Sequence, residues 1–92
     1  MTVTIQISNS DNKLTQGEWA QFITEMRRTI QENCDKVLFI GGSDTFAPWQ
    51  NARWVVAVSD ENLMQLRSMI VGVRKACHQD AVALTCGTTE LV

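Results

Sequence analysis

Two stretches with helical periodicity alternate with four strand-like stretches, and the order of these elements restricts the fold more than any other feature of the sequence. Apolar residues recur every three or four positions from Trp19 to Ile30 and from Leu63 to Cys77, which predicts two amphipathic helices. Short apolar or alternating runs predict four strands, at Thr2–Ser8, Lys36–Ile40, Arg53–Val58 and Ala81–Thr85. The predicted order is therefore β-α-β-β-α-β.

This order is typical of the ferredoxin-like split-βαβ fold, and right-handed crossovers favour the same closure. We therefore predict an α+β sandwich in which a four-stranded antiparallel sheet carries two helices on one face. With 92 residues, the chain is long enough for one hydrophobic core and too short for two. We expect a single domain over residues 1–92.

Local signals mark the starts of both helices. Thr15 and Glu18 have the spacing of a capping box, and Leu14 and Trp19 stand where a hydrophobic staple would close it. Ser59 precedes an acidic stretch and is the expected N-cap of the second helix.

Charge and composition argue against several classes of function. Eight basic and ten acidic residues give a net charge of −2, so no overall field attracts duplex nucleic acid. We find no apolar run long enough to span a membrane and no export signal. Cys34, Cys77 and Cys86 lack disulfide or metal-binding spacing and are expected to be buried thiols in a reducing compartment. We predict a cytoplasmic protein without a cofactor.

The predicted topology brings three loops to one edge of the sheet, at residues 9–14, 41–52 and 78–80. The start of helix one and the end of helix two reach the same edge. Amides, cations, free helix N–H groups and an aromatic ring are suited to a planar or anionic ligand. The candidate ligand- or partner-binding residues are Asn9, Asp11, Lys13, Trp49, Gln50, Asn51, Arg53, His78 and Gln79.

The loop at residues 41–52 has two interpretations. Phe46 and Trp49 beside Gln50 and Asn51 would form a stacking surface with amide hydrogen bonds, as a base or another planar ligand requires. Alternatively, both rings plug the open edge of the core while the amides cap turns. Under the first interpretation, replacing Trp49 or Gln50 by Ala abolishes binding and changes stability by less than about 1 kcal/mol.

His78 also has two interpretations. Beside Asp11 and Asp80 it would form an acid–base group, because histidine titrates near neutral pH and a carboxylate can orient it. A lone histidine at a helix end more often acts as a C-terminal capping cation. Asp11, Asp44 and Asp80 follow no cation-binding motif, so we predict no metal site.

The third predicted strand is apolar on both of its faces. Trp54, Val56 and Val58 point one way, and Val55 and Ala57 point the other way. A second apolar face is seldom left in water. We therefore expect a homodimer that pairs through the open face of the sheet.

Four stretches resemble a family of small uncharacterised proteins of bacteria and their phages. They are Asn9–Trp19, Ala47–Trp54, His78–Ala83 and Thr88–Leu91, and together the similarity spans nearly the whole chain. The resemblance implies an accessory protein encoded by a phage or a mobile element, which would act in the cytoplasm of the host cell. It brings no activity with it.

Three functions fit these observations. The first is a non-catalytic binding module, such as an inhibitor, that holds a host protein or a small anionic, nucleotide-like ligand. The second is a small dimeric α/β-barrel-type enzyme with a pocket among His78, Asp11 and Trp49. The third is a structural or assembly protein. Because no catalytic motif is present, we assign no catalytic residue and predict the binding module.

Overall fold

The computed structural model describes residues 1–44, 48–88, 90 and 92, and its elements follow the predicted order. The strands are β1 (Thr2–Ser8), β2 (Lys36–Gly42), β3 (Asn51–Ala57) and β4 (Ala83–Gly87), and the helices are α1 (Gln16–Asn33) and α2 (Asp60–Ala76). The strands form one antiparallel sheet in the order β2-β3-β1-β4. Each helix thus connects two parallel strands that have one antiparallel strand between them. This confirms the ferredoxin-like split-βαβ fold.

One face of the sheet packs against both helices to form the hydrophobic core. Val3, Ile5 and Ile7 alternate along β1 and are no more than 1% exposed. Buried residues of the remaining elements belong to the same cluster: Trp19, Phe22, Met26, Ile30, Trp54, Val56, Leu66 and Ile70. The helical stripes predicted from the periodicity are therefore the faces that the two helices bury.

In the part of the chain that the structure describes, the opposite face of the sheet carries no helix and is only partly apolar. Phe39, Val55, Thr4 and Thr85 form one row across the four strands, from β2 to β4. The apolar half of this row lies toward β2, and the polar half lies toward β4. The pattern of β3 alone therefore overstates how apolar the open face is.

The capping box at the start of α1 is present as predicted. The backbone N–H of Glu18 donates to the Thr15 hydroxyl over 3.2 Å, and the Thr15 N–H donates to the Glu18 carboxylate over 2.9 Å. Leu14 and Trp19, the two staple residues, are both buried. Ser59 is the N-cap of α2, but its side chain makes no capping hydrogen bond.

The hairpin between β2 and β3 is longer than predicted, and its loop is correspondingly shorter. β2 pairs with β3 through Gly42, where the prediction ended the strand at Ile40. A Cβ atom at Gly42 would collide with the backbone oxygen of Asn51, so the glycine permits a close approach of the two strands. The fourth strand also begins later than predicted, at Ala83.

The structure bears on two predictions, that the cysteines are buried thiols and that no segment of the chain spans a membrane. Cys34, Cys77 and Cys86 are free thiols. The prediction that all three are buried is wrong, since Cys34 and Cys77 are half-buried and Cys86 is exposed near the end of the edge strand β4. Among the described residues, we find no helix with the length and hydropathy needed to cross a bilayer.

Candidate functional site

The predicted meeting of loops at one edge of the sheet is observed. The backbone N–H of Asn9, after β1, donates to the backbone oxygen of Gln50, before β3, over 2.8 Å. The segment after α2 leads to the same edge, because β4 begins at Ala83, which lies opposite Gln6 near the end of β1. The topology has therefore brought residues far apart in sequence to one place.

Three side-chain amides form the centre of this edge, and we name Asn9, Gln16 and Gln50 the amide cluster. Gln16 and Gln50 exchange two hydrogen bonds, over 3.0 and 2.8 Å. The Asn9 amide donates to Gln50 over 3.0 Å and to the Leu14 backbone oxygen over 3.2 Å, while its oxygen accepts from the Leu14 N–H over 3.0 Å. The cluster therefore ties both loops to the start of α1.

Burial limits what the amide cluster can offer to a ligand. Asn9 is 2% exposed and Gln50 is 8% exposed. Both amide hydrogens of Asn9 already have acceptors within the chain. Replacing Gln50 by Ala should therefore lower the stability by more than the predicted limit of about 1 kcal/mol, because it leaves buried hydrogen-bonding groups unpaired. Among the predicted site residues, Asn9 and Gln50 serve the fold.

Trp49 and Asn51 flank Gln50 and differ in exposure. The Trp49 side chain is 63% exposed, which contradicts its interpretation as a plug for the core. Asn51 is half-buried and donates its backbone N–H to the Ser43 hydroxyl over 3.0 Å, which closes the base of the loop. Phe46 lies outside the described residues. Among the described candidates of this loop, Trp49 is therefore the one whose side chain projects into solvent.

The charged candidates lie in separate places. Lys13 and Asp11 are exposed and form an ion pair over 3.8 Å in the loop before α1. Arg53 projects from β3 on the open face of the sheet, where it donates to Gln6 over 2.6 Å. Side chains alternate along β3, so Arg53 points away from the helices while the next residue, the buried Trp54, points toward them. Lys13 and Arg53 therefore do not share one anion site.

His78 and Gln79 end α2 in a Schellman arrangement. The His78 N–H donates to the Lys75 oxygen over 3.1 Å, and the Gln79 N–H donates to the Arg74 oxygen over 2.9 Å. His78 has a φ of 56°, the left-handed conformation that glycine usually provides at this position. The structure supports a role in ending the helix, and within the described residues no hydrogen bond or ion pair joins His78 to Asp11 or Asp80.

Replacing His78 by Gly should stabilise the protein by about 0.5–1 kcal/mol, because glycine adopts a positive φ without steric cost. The lower entropy cost of histidine in the unfolded chain reduces the gain. Urea denaturation followed by circular dichroism measures the change. Ala76→Gly, two residues earlier and inside the helix, is the control and should lose about 1 kcal/mol. Destabilisation by both glycines would contradict the assigned role of His78.

Three groups near the helix ends, Glu18 and the half-buried thiols of Cys34 and Cys77, have shifted pKa values. The hydrogen bond from the Thr15 backbone lowers the pKa of the Glu18 carboxyl, with smaller contributions from the Thr15 hydroxyl and His78. Burial raises the pKa of the Cys34 thiol and of the Cys77 thiol, which keeps both protonated at neutral pH. Neither cysteine has the properties of a nucleophile.

A cleft of about 500 Å³ lies beside the amide cluster, between α1 and the end of the β2–β3 hairpin. We name it the hairpin cleft. One wall comes from α1 and the other from the hairpin and its loop. The lining residues that matter chemically are Gln16, Trp19, Ile23, Arg27, Ile40, Asp44, Gln50 and Trp54. The cleft combines apolar walls, side-chain amides and one charge of each sign.

Trp54, Arg27 and Asp44 line this cleft with polar groups that have no partner among the described residues. Trp54 is 1% exposed, and its indole nitrogen has no hydrogen-bond partner in the part of the chain that the structure describes. Arg27 and Asp44 form no ion pair with any described residue. Of the predicted site residues, only Gln50 and Asn51 line the cleft.

Sequence reasoning missed most of this cleft, although one signal was present. Gln16, Ala20, Ile23 and Arg27 follow a helical period beside the buried stripe of α1. A second, partly polar stripe that ends in an arginine indicates a helix face that is only half covered. Within residues 1–44, 48–88, 90 and 92, no three His, Cys, Asp or Glu side chains lie close enough together to hold a metal ion.

Comparison with known proteins adds no relative to this description. No family model, curated protein or solved structure matches the chain.

Proposed function

We propose that this chain is a non-catalytic binding module that holds a small, planar, anionic ligand of nucleotide type in the hairpin cleft. The unpartnered indole N–H of Trp54 in the wall of the cleft carries this proposal. A buried donor without an acceptor costs about 1–3 kcal/mol. The nitrogen has less than 1 Å² of surface open to solvent, so a small opening of the cleft wall would accompany a ligand oxygen that accepts from this N–H and removes the cost.

The other lining residues support the same class of ligand. Trp19, Ile23 and Ile40 offer apolar surface for the flat part of a ligand. Arg27 supplies a cation for an anionic group, and Asp44 supplies an acceptor for an amino or hydroxyl group. The cleft volume of about 500 Å³ is within the range of small-molecule sites.

Titration with adenosine monophosphate, followed by two-dimensional ¹H–¹⁵N NMR, tests the proposal. The protein has three indole N–H groups, those of Trp19, Trp49 and Trp54, and each gives one signal. We expect the Trp54 signal to move most, because its N–H gains a hydrogen bond. A shift confined to Trp49, or no shift at all, would argue against a site in the hairpin cleft.

A pair of arginine variants provides the matched control. Arg27→Gln should weaken binding of adenosine monophosphate roughly tenfold or more, since a charge-assisted hydrogen bond contributes about 1.5–3 kcal/mol. Arg67→Gln removes the same charge from an exposed position on α2 that does not line the cleft, and it should leave the affinity unchanged. Equal weakening by both variants would indicate nonspecific charge attraction.

A host protein is the second candidate partner, and the exposure of Trp49 favours it. Trp49 has 63% of its surface in solvent, and tryptophan is enriched among the residues that contribute most to binding at protein interfaces. In this case the chain would be a phage- or mobile-element-encoded inhibitor in the host cytoplasm. Trp49→Ala should then abolish capture of the host protein and leave binding of adenosine monophosphate intact.

A further inference from the structure

The open face of the sheet carries an exposed aromatic ring. Phe39 is 55% exposed and lies in the row that continues through Val55 to Thr4. Its ring leans along β2 over Gly41, where any Cβ atom would collide with it. The glycine therefore lets the ring lie close to the sheet while more than half of the residue's surface stays in solvent.

Two cations lie in the rows on either side of Phe39. Lys36 pairs with Ala57, and Arg53 pairs with Gly41, so both belong to the open face. Neighbouring rows on one face of a sheet are about 7 Å apart, which places the cations roughly 14 Å apart along the strands with the ring between them. Both are exposed, and neither forms an ion pair with a described residue.

The charge on the open face has one sign. Besides the two cations, the strand residues of this face have hydroxyl, amide or apolar side chains or are glycines, and none of them is acidic. The chain as a whole has a net charge of −2, so this local excess of positive charge is opposite in sign to that of the protein. A complementary partner is anionic and carries flat groups that stack on a ring.

Polar side chains beside the ring add hydrogen-bonding groups. The Arg53 guanidinium donates to the Gln6 side-chain oxygen over 2.6 Å, which holds the cation over the sheet and uses only one of its five N–H groups. Thr4 and Thr85 continue the row of Phe39 toward β4 and supply hydroxyls. The face thus combines stacking surface, cations and neutral polar groups.

We propose that this face binds a short single-stranded nucleic acid. One base stacks on Phe39, and Lys36 and Arg53 hold the phosphates on either side of it. A single strand fits because its bases can turn out onto a ring, whereas the bases of a duplex are already stacked on one another. This surface is separate from the hairpin cleft, which lies on the side of the sheet that carries the helices.

Two phosphate contacts predict weak and salt-dependent binding. For single strands, the logarithm of the affinity falls with the logarithm of the salt concentration with a slope of about −0.7 per phosphate contact, so two contacts give about −1.4. An increase from about 50 to about 200 mM salt should then weaken binding about sevenfold. At the lower salt concentration we expect a Kd on the order of 10–100 μM.

Fluorescence anisotropy with labelled octauridylate and octathymidylate tests this proposal, and the protein should bind at least one of them. Phe39→Leu keeps an apolar side chain without a ring and should weaken binding at least about fivefold, the lower limit for loss of a base–aromatic stack. Phe39→Trp keeps the stack and should bind within about threefold of the original chain. Arg53→Gln should reduce the steepness of the salt dependence by about 0.7.

Two other arginines locate the site. Arg67→Gln removes the same charge from an exposed position on α2 and should leave binding of the oligonucleotide unchanged. Loss of binding in Arg27→Gln would place the strand in the hairpin cleft and overturn the proposal.

Three further results would also overturn it: no binding of either oligonucleotide, full binding by Phe39→Leu, or an unchanged salt dependence in Arg53→Gln. Sedimentation of the protein alone as a dimer that binds neither strand would assign the open face to a second copy instead. Should Phe39→Leu fail to fold, the exposed Arg53 and its control Arg67 still decide the result.

Discussion

Replacing Trp19 by Ala should lower the free energy of unfolding by about 3–5 kcal/mol, the usual cost of removing a large aromatic side chain from a core. Trp19 is 7% exposed and packs edge-on against Phe22, with ring centroids 6.3 Å apart. It also follows the capping box of α1, so its loss affects the start of the helix. A domain of this size has a stability of roughly 5–14 kcal/mol.

Trp49→Ala is the matched control for this experiment, because it removes the same side chain from an exposed position. It should change the free energy of unfolding by no more than about 0.5 kcal/mol. Urea denaturation followed by far-UV circular dichroism measures both variants. Equal losses for the two tryptophans would mean that the burial of Trp19 does not stabilise the fold.

The Asn9→Asp variant should lose about 3–5 kcal/mol at pH 7, because it leaves an unpaired charge in the interior. The substitution removes both amide donors of Asn9. The new carboxylate would face two oxygen atoms that now accept hydrogen bonds, the Leu14 backbone oxygen and the Gln50 side-chain oxygen.

The pH dependence of this variant follows from the same geometry. Burial and the two facing oxygens raise the pKa of the introduced carboxyl above its value in the unfolded chain. The folded state then binds more protons than the unfolded state between the two pKa values, so the loss of stability shrinks as the pH falls.

Asn12→Asp makes the same chemical change at an exposed position in the same loop and provides the control. It should lose less than about 1 kcal/mol and show little change in pH dependence. Chemical denaturation at several pH values compares the two variants. A similar, pH-independent loss for both would contradict the role of the amide cluster.

The candidate site was predicted less completely than the fold. The loops that meet at the sheet edge followed from topology, and so did their content of polar groups. The sequence did not show which of these polar groups are buried. Asn9 and Gln50 carry the same kind of amide side chain as residues that stay in water. Arg53 was grouped with Lys13 because both are cations near that edge. The strand alternation placed Arg53 on the other face.

Local patterns were sufficient for the two helices, the existence of the four strands and the capping box of α1. These features depend on residues within four positions of one another, or on alternation along a single strand, so the sequence contains their whole cause. The sequence also placed His78 at the end of α2. Its left-handed backbone conformation is seen only in the folded structure.

The amide cluster, the hairpin cleft and the extent of β2 depend on the packed chain. The Asn9–Gln50 bond joins residues 41 positions apart, and the Gln16–Gln50 bonds span 34 positions. Side-chain amides can pair with water, with turns or with each other, and the choice depends on which groups burial brings within 3 Å or so of one another. Gly42 shows the same limit, because its need for close approach comes from the Asn51 backbone across the hairpin.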